Sequence, residues 1–190
     1  MSPADRRASA TPKKATARAI GERNSRRSAG AVREPLAAYE APARVNAFRT
    51  LLRTAPLAER VRIEREGVPY QVVKGLIDDI FVSSTEFQTF VRIPKATFTK
   101  KMRDKSLFAG TTGQSVVGLM ELINKVEDML AAEQDNPAAK GFDVERWVGQ
   151  WIQRPQPALG GLAPAELMDT PSGRASVMRV LGAVQSGAYQ

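Results

Sequence analysis

No cysteine and no histidine occur among the 190 residues. Without cysteine there is no disulfide framework, no thiolate nucleophile and no Cys-based zinc site. Without histidine the commonest general base and metal ligand is missing, so Ser-His-Asp and Cys-His catalysis are excluded within the chain. Long apolar runs are absent too. None approaches the ~18–20 uninterrupted apolar residues of a membrane helix. The N-terminus lacks the apolar stretch of a secretory signal, and Asp5 and Glu22 argue against an organelle transit peptide despite the Arg-, Ser- and Ala-rich start. A carboxylate- or lysine-based enzyme is left over. Its only support is Asp78-Asp79 and Glu127-Asp128, and residues adjacent on a helix do not converge on one site. No catalytic residue, metal or cofactor is therefore expected, and the expected compartment is the cytoplasm.

What is abundant is positive charge, +8 in all. Residues 1–45 hold ten Lys/Arg against four acids, no Phe or Trp, and a single Leu, Leu36. Such a segment cannot bury enough apolar surface to offset its ordering entropy, so a disordered basic arm is expected. It suits either a nucleic-acid grip or a solubilising tail. The arm carries +6, and the remaining 145 residues carry only +2.

From residue 46 the pattern is helical almost throughout, and no convincing strand appears. Asn46 can cap a helix bearing Phe48, Leu51 and Leu52. Pro56 and Gly67 bracket a helix over 57–66. Pro69 suits the first turn of a helix bearing Val72, Val73, Leu76, Ile77 and Ile80 on one face. Ser83-Ser84-Thr85-Glu86 matches a capping box. Gly110 and Gly113 mark a loop, after which Ser115 caps a helix to about Glu133. Its stripe of Val116, Leu119, Ile123, Val126 and Leu130 reads as core. Asp135-Asn136-Pro137 and Gly141 make a break before a helix over 142–152. A last helix runs from Pro171 to about Ser186.

Two stretches could carry function. Between Ser83 and Lys105, two short helices joined by the Arg92-Ile93 connection hold six Lys/Arg and two acids. A second helix of this kind can lie in a DNA major groove. Phe98 and Met102 point inward, while Lys95, Ala96, Thr97, Lys100, Lys101 and Arg103 are the candidate DNA contacts. The helix offers no Asn or Gln to an adenine, so phosphate attraction is better supported than base readout.

The other stretch reads Trp147…Trp151-Ile152-x-x-Pro155-x-Pro157-Ala158-Leu159-Gly160-Gly161-Leu162-x-Pro164-x-x-Leu167-Met168-Asp169-Thr170-x-x-Gly173. Pro157 and the Gly pair specify a turn that other residues would hold only with strain. Trp147, Trp151, Pro157, Leu159, Gly160, Gly161, Pro164, Thr170 and Gly173 read as determinants of the fold, with the turn packing the last helix back onto the Trp-bearing one. Arg174, Arg179, Gln185 and the end Ser186-Gly187-Ala188-Tyr189-Gln190 are the candidate partner contacts.

This pattern resembles the C-terminal domain of the Xre/MbcA/ParS antitoxins of bacterial toxin–antitoxin pairs. Trp151-Ile152 stands for their W-L, Gln156 replaces their usual Asn, and Pro157-Ala158-Leu159-Gly160-Gly161 is identical. Pro164, Leu167, Thr170 and Gly173 match, as do Leu181-Gly182 and Gly187. More weakly, Ile63–Pro69 and Ile93-Pro94-Lys95-Ala96-Thr97 look like the Xre-like half of these proteins, from which Thr99 and the Phe-rich preceding helix depart.

The resemblance implies an all-α protein. It would comprise an Xre-like helix-turn-helix domain (46–133) and a small helical toxin-binding domain (134–190), preceded by the basic arm (1–45), which lies outside the resemblance. It implies a type II antitoxin that is not an enzyme, that blocks the NAD cleft of a cognate RES-domain toxin with its last helix and C-terminal residues, and that represses its own operon by binding operator DNA. A homodimer and a hetero-oligomer with toxin are implied as partners, and no membrane. The competing expectation is a helix-turn-helix regulator without a toxin, whose C-terminal domain serves dimerisation.

Overall fold

Proline, glycine and hydroxyl residues punctuate the chain often enough to cut it into short helices, and these assemble around one long helix. The computed structural model describes residues 42–133 and 137–185. Most of the expected arm, the Asp135-Asn136 break and Ser186–Gln190 lie outside the described residues. Eight α-helices are present among them: α1 (Val45–Thr54), α2 (Leu57–Glu66), α3 (Tyr70–Ile80), α4 (Ser84–Phe90), α5 (Lys95–Arg103), α6 (Gly110–Ala132), α7 (Val144–Trp151) and α8 (Pro171–Gln185). Single 3-10 turns occur at Pro137–Ala139, Pro157–Leu159 and Pro164–Glu166. The described part is all-α, as expected. Its one β feature is an isolated antiparallel bridge between Val68 and Phe108, whose amides and carbonyls exchange hydrogen bonds of 2.9 and 2.7 Å.

Several helix boundaries follow from the punctuation. Pro56 and Gly67 flank α2 as expected, and Gly67 takes φ +106°. Others correct the sequence reading. Asn46 does not cap α1, which starts at Val45 after an extended Arg44 with no side-chain cap. Val45 lies against the bare backbone of Gly75 in α3, close enough that a Cβ there would collide with it. That packing draws Val45 into the helix ahead of any cap. Ser115 does not cap α6 either. It is buried inside the helix, with its hydroxyl donating to the Thr111 carbonyl at 3.1 Å. Gly110 and Gly113 belong to the helix, not to a loop. Gly113 is there because the Phe108 carbonyl presses against it. The expected helix over 142–152 is trimmed to Val144–Trp151, because the Asp143 carboxylate accepts from the Arg146 amide at 3.0 Å and sets the start.

The 23 residues of α6 form the axis of the fold, about 34 Å long at 1.5 Å per residue. The expected stripe is buried apart from its last member, Leu130, but Val117, Met120 and Leu122 are buried too. A helix apolar nearly all round is an interior helix. It packs against α1, α2, α7 and α8. At Gly118 the missing side chain leaves room for Met168 and the Arg174 stem. The segments 46–133 and 137–185 thus share one core, to which both Ile63 and Leu181 belong.

One polar cluster is buried against this core. Arg49 of α1 is only 4% exposed. Its Nε donates to Asn124 Oδ1 at 3.2 Å, and its guanidinium forms ion pairs with Glu127 of α6 and Glu145 of α7. The Asn124 amide donates back to the Arg49 carbonyl at 3.1 Å. Burial works against ionisation of Glu127, but hydrogen bonds and attraction from Arg49, and then Arg53, outweigh it and lower its pKa. A fully partnered buried charge of this kind fixes the relative placement of three helices.

Candidate functional site

The α4–α5 pair is built from its caps and its aromatic residues. Ser83 Oγ accepts from the Glu86 amide at 3.2 Å. The return arm of the expected capping box lands one residue earlier, where Glu86 Oε2 accepts from the Val82 amide at 2.8 Å. Phe81, Phe87, Phe98 and Phe108 make successive ring contacts at 5.4, 6.0 and 6.0 Å. This chain seats both helices on the end of α3 and on the loop before α6. The connection from α4 to α5 takes four residues, Val91–Pro94, with Arg92 at φ +51°.

With Phe98 buried and Met102 half-buried, the opposite face of α5 is fixed. Ala96, Lys100 and Arg103 are exposed on it, Thr97 is exposed at its side, and Lys95 is exposed in the first turn of the helix. Lys95 and Lys100 form no salt bridge among the described residues. Arg103 pairs with Asp104, Nε to Oδ1 at 2.9 Å, and this hydrogen bond lowers the Asp104 pKa. Lys101 differs from the other DNA-contact candidates. Its ammonium donates to the Leu107 carbonyl at 2.7 Å and lies 5.6 Å from the Phe108 ring centre. Its charge is turned toward holding the loop between α5 and α6.

The C-terminal motif separates into buried and surface parts. Trp147 and Trp151 stack with ring centres 5.8 Å apart at 12°; Trp151 is buried and Trp147 half-buried. Gly160 and Gly161 take φ +70° and +82°, the left-handed region that glycine adopts without strain. The turn is closed by backbone bonds. The Gln156 carbonyl accepts from the amides of Leu159 (2.9 Å) and Gly161 (3.0 Å), and the Gln156 amide donates to Leu162 O (3.0 Å). Leu159 is half-buried, Pro164 is buried, and Pro157, Gly160 and Gly161 are exposed. The Ala165 amide then fastens the chain to the Ile152 carbonyl at 2.9 Å.

Thr170 caps α8, its Oγ1 accepting from the Gly173 amide at 3.1 Å. Gly173 is buried against the Leu167 carbonyl with no room for a side chain. The helix so started makes its main contacts with α6 and the Pro157–Leu159 turn, which corrects the expected docking onto the Trp-bearing helix.

The partner-contact candidates are distributed unequally. Arg174 is half-buried, lies across Gly118 and donates to the Met168 carbonyl at 3.2 Å, so it already serves packing. Arg179 is exposed but folds back on its own helix, donating to Ser176 Oγ at 3.0 Å. Gln185 ends α8, and Ser186, Gly187, Ala188, Tyr189 and Gln190 lie outside the described residues.

Sequence reasoning missed the link between the two stretches. Arg92, in the turn between α4 and α5, pairs with Asp169 at 2.9 Å and donates to the Glu166 carbonyl at 3.1 Å. Gln153 donates to Glu86 Oε1 at 2.8 Å. Glu86, Thr89, Phe90, Arg92, Gln153 and Glu166 line a cleft of about 470 Å³ between α4 and the motif. Nothing in local spacing pairs residue 92 with residue 169. No cluster of three or more acidic ligands able to hold a metal occurs among the described residues, and no helix among them is long and apolar enough to cross a membrane.

Comparison with known proteins adds three findings. Residues 141–187 match the family model described as the antitoxin Xre/MbcA/ParS C-terminal toxin-binding domain. A protein of Sphingobium sp. (strain YBL2), named Prs ADP-ribosylating antitoxin, is 32% identical over 143 residues, which cover 75% of this chain and 87% of the relative. Antitoxin Xre of Photorhabdus laumondii subsp. laumondii is 22% identical over 125 residues, covering 66% of this chain and 77% of that one.

Proposed function

The chain belongs to the Xre/MbcA/ParS antitoxins, and from that premise we propose that it is the non-enzymatic half of a type II pair, neutralising a cognate RES-domain toxin by covering its NAD cleft. The observation that carries this is the match of residues 141–187 to a toxin-binding domain, in a region whose last helix is anchored at its start and leads to the chain's end. Thr170, Gly173 and Arg174 fasten that start. Arg179, Gln185 and Ser186–Gln190 are then the contacts reaching the toxin. The name of the Sphingobium relative joins an antitoxin to ADP-ribosylation, which agrees with a partner that consumes NAD or transfers ADP-ribose.

The second half of the proposal is autoregulation in the bacterial cytoplasm. Lys95, Ala96, Thr97, Lys100 and Arg103 are exposed on α5 and would approach operator DNA, in a homodimer that also assembles with toxin. Lys101 contributes by bracing the loop behind that face.

The experiment is a growth-rescue assay with the protein encoded by the neighbouring open reading frame, which the proposal requires to be a RES-domain toxin. The full chain restores growth, and a form lacking Ala188–Gln190 folds but protects poorly. A truncated form that protects fully overturns the assigned role of the C-terminal residues. A full chain that neither binds nor protects overturns the antitoxin mechanism and favours a regulator without a toxin.

A further inference from the structure

The motif's exposed side chains at Ala158 and Leu162 have no explanation in the fold. Charged residues make up a quarter of the chain, yet none occurs from Pro155 to Ala165 or from Val180 to Gln190. Within the first of these segments Pro157, Ala158, Gly160 and Gly161 are exposed. Leu162 is an exposed large hydrophobic, 43% accessible, and Val184 of the second segment is another at 42%. The glycines are required by their positive φ, since a Cβ on either would meet nothing within 4 Å. The space above the turn is therefore open. The turn is also rigid before any encounter, because the Gln156, Pro157 and Leu162 carbonyls are all bonded within it.

An uncharged, apolar, preformed knuckle has the features of an interface core. Such cores are depleted in charge, and preorganisation lowers the entropy lost on binding. Since α8 packs against the Pro157–Leu159 turn, the knuckle is continuous with the helix assigned above to the toxin. We propose that the exposed turn Pro157–Leu162 is a second part of the toxin-docking surface, with Leu162 its apolar anchor and Ala158 its closest-approach point. This rests on the antitoxin reading and adds to it: partner recognition extends beyond the chain's end to a fixed turn inside the family motif. The motif then has two duties. Ile152, Ala163, Pro164 and Met168 hold the fold, and the residues between them meet the partner.

The test is the affinity of the full chain for the purified toxin of the proposed pair, a RES-domain protein sought in the neighbouring open reading frame, measured by biolayer interferometry, with thermal melting as a fold check. Leu162→Asp and Ala158→Arg should each weaken binding about tenfold or more, as for the central residues of an interface, without lowering the melting temperature appreciably. Gln71→Asp on the exposed side of α3 should leave binding unchanged. Ala158 has no buried side chain to lose, so its variant decides the matter if Leu162→Asp disturbs folding. Wild-type affinity in a folded Ala158→Arg chain overturns the docking turn while leaving the antitoxin reading in place. Failure of the unaltered chain to bind the toxin overturns both.

Discussion

Replacing Arg49 by Met isolates the energetic weight of the buried cluster. Methionine keeps the apolar character of arginine's stem but is shorter and offers no donors and no charge. The substitution takes the guanidinium from Glu145, leaves Glu127 paired with Arg53 alone, and removes the donor to Asn124 Oδ1. Removing one partner of a buried ion pair costs about 3–5 kcal/mol. Glu127 and Glu145 are 36% and 29% exposed, so water can take over part of Arg49's role and the cost falls toward the lower bound. Asn124 is buried and adds about 1 kcal/mol for its unmet acceptor. A loss of about 4 kcal/mol follows, which for a domain of this size lowers Tm by about 8–16 °C. Acid supplies an independent check. The Glu127 pKa is lowered in the folded state, so its stabilisation is present at neutral pH and is lost as pH falls through that value. Urea denaturation followed by far-UV circular dichroism should thus show a large gap between wild type and Arg49→Met at pH 7 that narrows toward about pH 3, below the usual glutamate range. A gap under about 1 kcal/mol at pH 7, outside the range for breaking buried pairs, or one that widens in acid, would refute the reasoning.

Four further substitutions probe other sites. Gly173→Ala forces a Cβ to within 2.8 Å of Thr170 Oγ1 and closer still to the Leu167 carbonyl oxygen. Overpacking of this kind costs about 1–3 kcal/mol, and an unchanged melting curve would contradict the described packing at the start of α8. Asp79 has a raised pKa, through burial first and then repulsion from Glu145, Asp78 and Asp143. Its charge therefore opposes folding above that pKa, and Asp79→Asn should stabilise the chain at pH 7 by less than about 1 kcal/mol. The benefit disappears in acid as the wild-type carboxyl takes up its proton, and a gain that persists there speaks against the electrostatic cause. Lys100→Ala should reduce the slope of log affinity against log salt for operator DNA by about 1 with Tm unaltered, whereas Lys101→Ala should lower Tm. The reverse assignment, seen in melting and salt titrations, would undo the division of labour on α5.

What could be read in the sequence was what short spacing controls. Ser83 with Glu86, Pro56 with Gly67, and Thr170 with Pro171 each place a helix end through groups a few residues apart, and those ends are where the residues imply. The Trp-to-Gly173 motif was legible because its proline and glycine positions demand particular backbone angles. Arg49 was not, because an arginine on an amphipathic helix looks like solvent-facing charge, and its partners lie 75 and 96 residues away. The start of α6 misled for a related reason. Gly110 and Gly113 carry the composition of a loop, and only the approach of Phe108 reveals Gly113 as a contact. Lys101 was visible as a charge, but the carbonyl and ring that claim it are set by the course of the loop.

The interior position of α6 bears on how such a protein can change partners. Its Glu121 pairs with Arg60 of α2, its Asn124 and Glu127 hold α1, and its Gly118 receives Arg174 of α8. A C-terminal segment transplanted from a relative would arrive without the surface it was shaped against, and a residue larger than glycine at position 118 would obstruct its last helix. Recombination at the boundary between the two halves is thereby penalised, while single substitutions on outward turns leave the axis untouched. New pairings are accessible to this architecture through its surface, one residue at a time, far more readily than by exchange of whole modules.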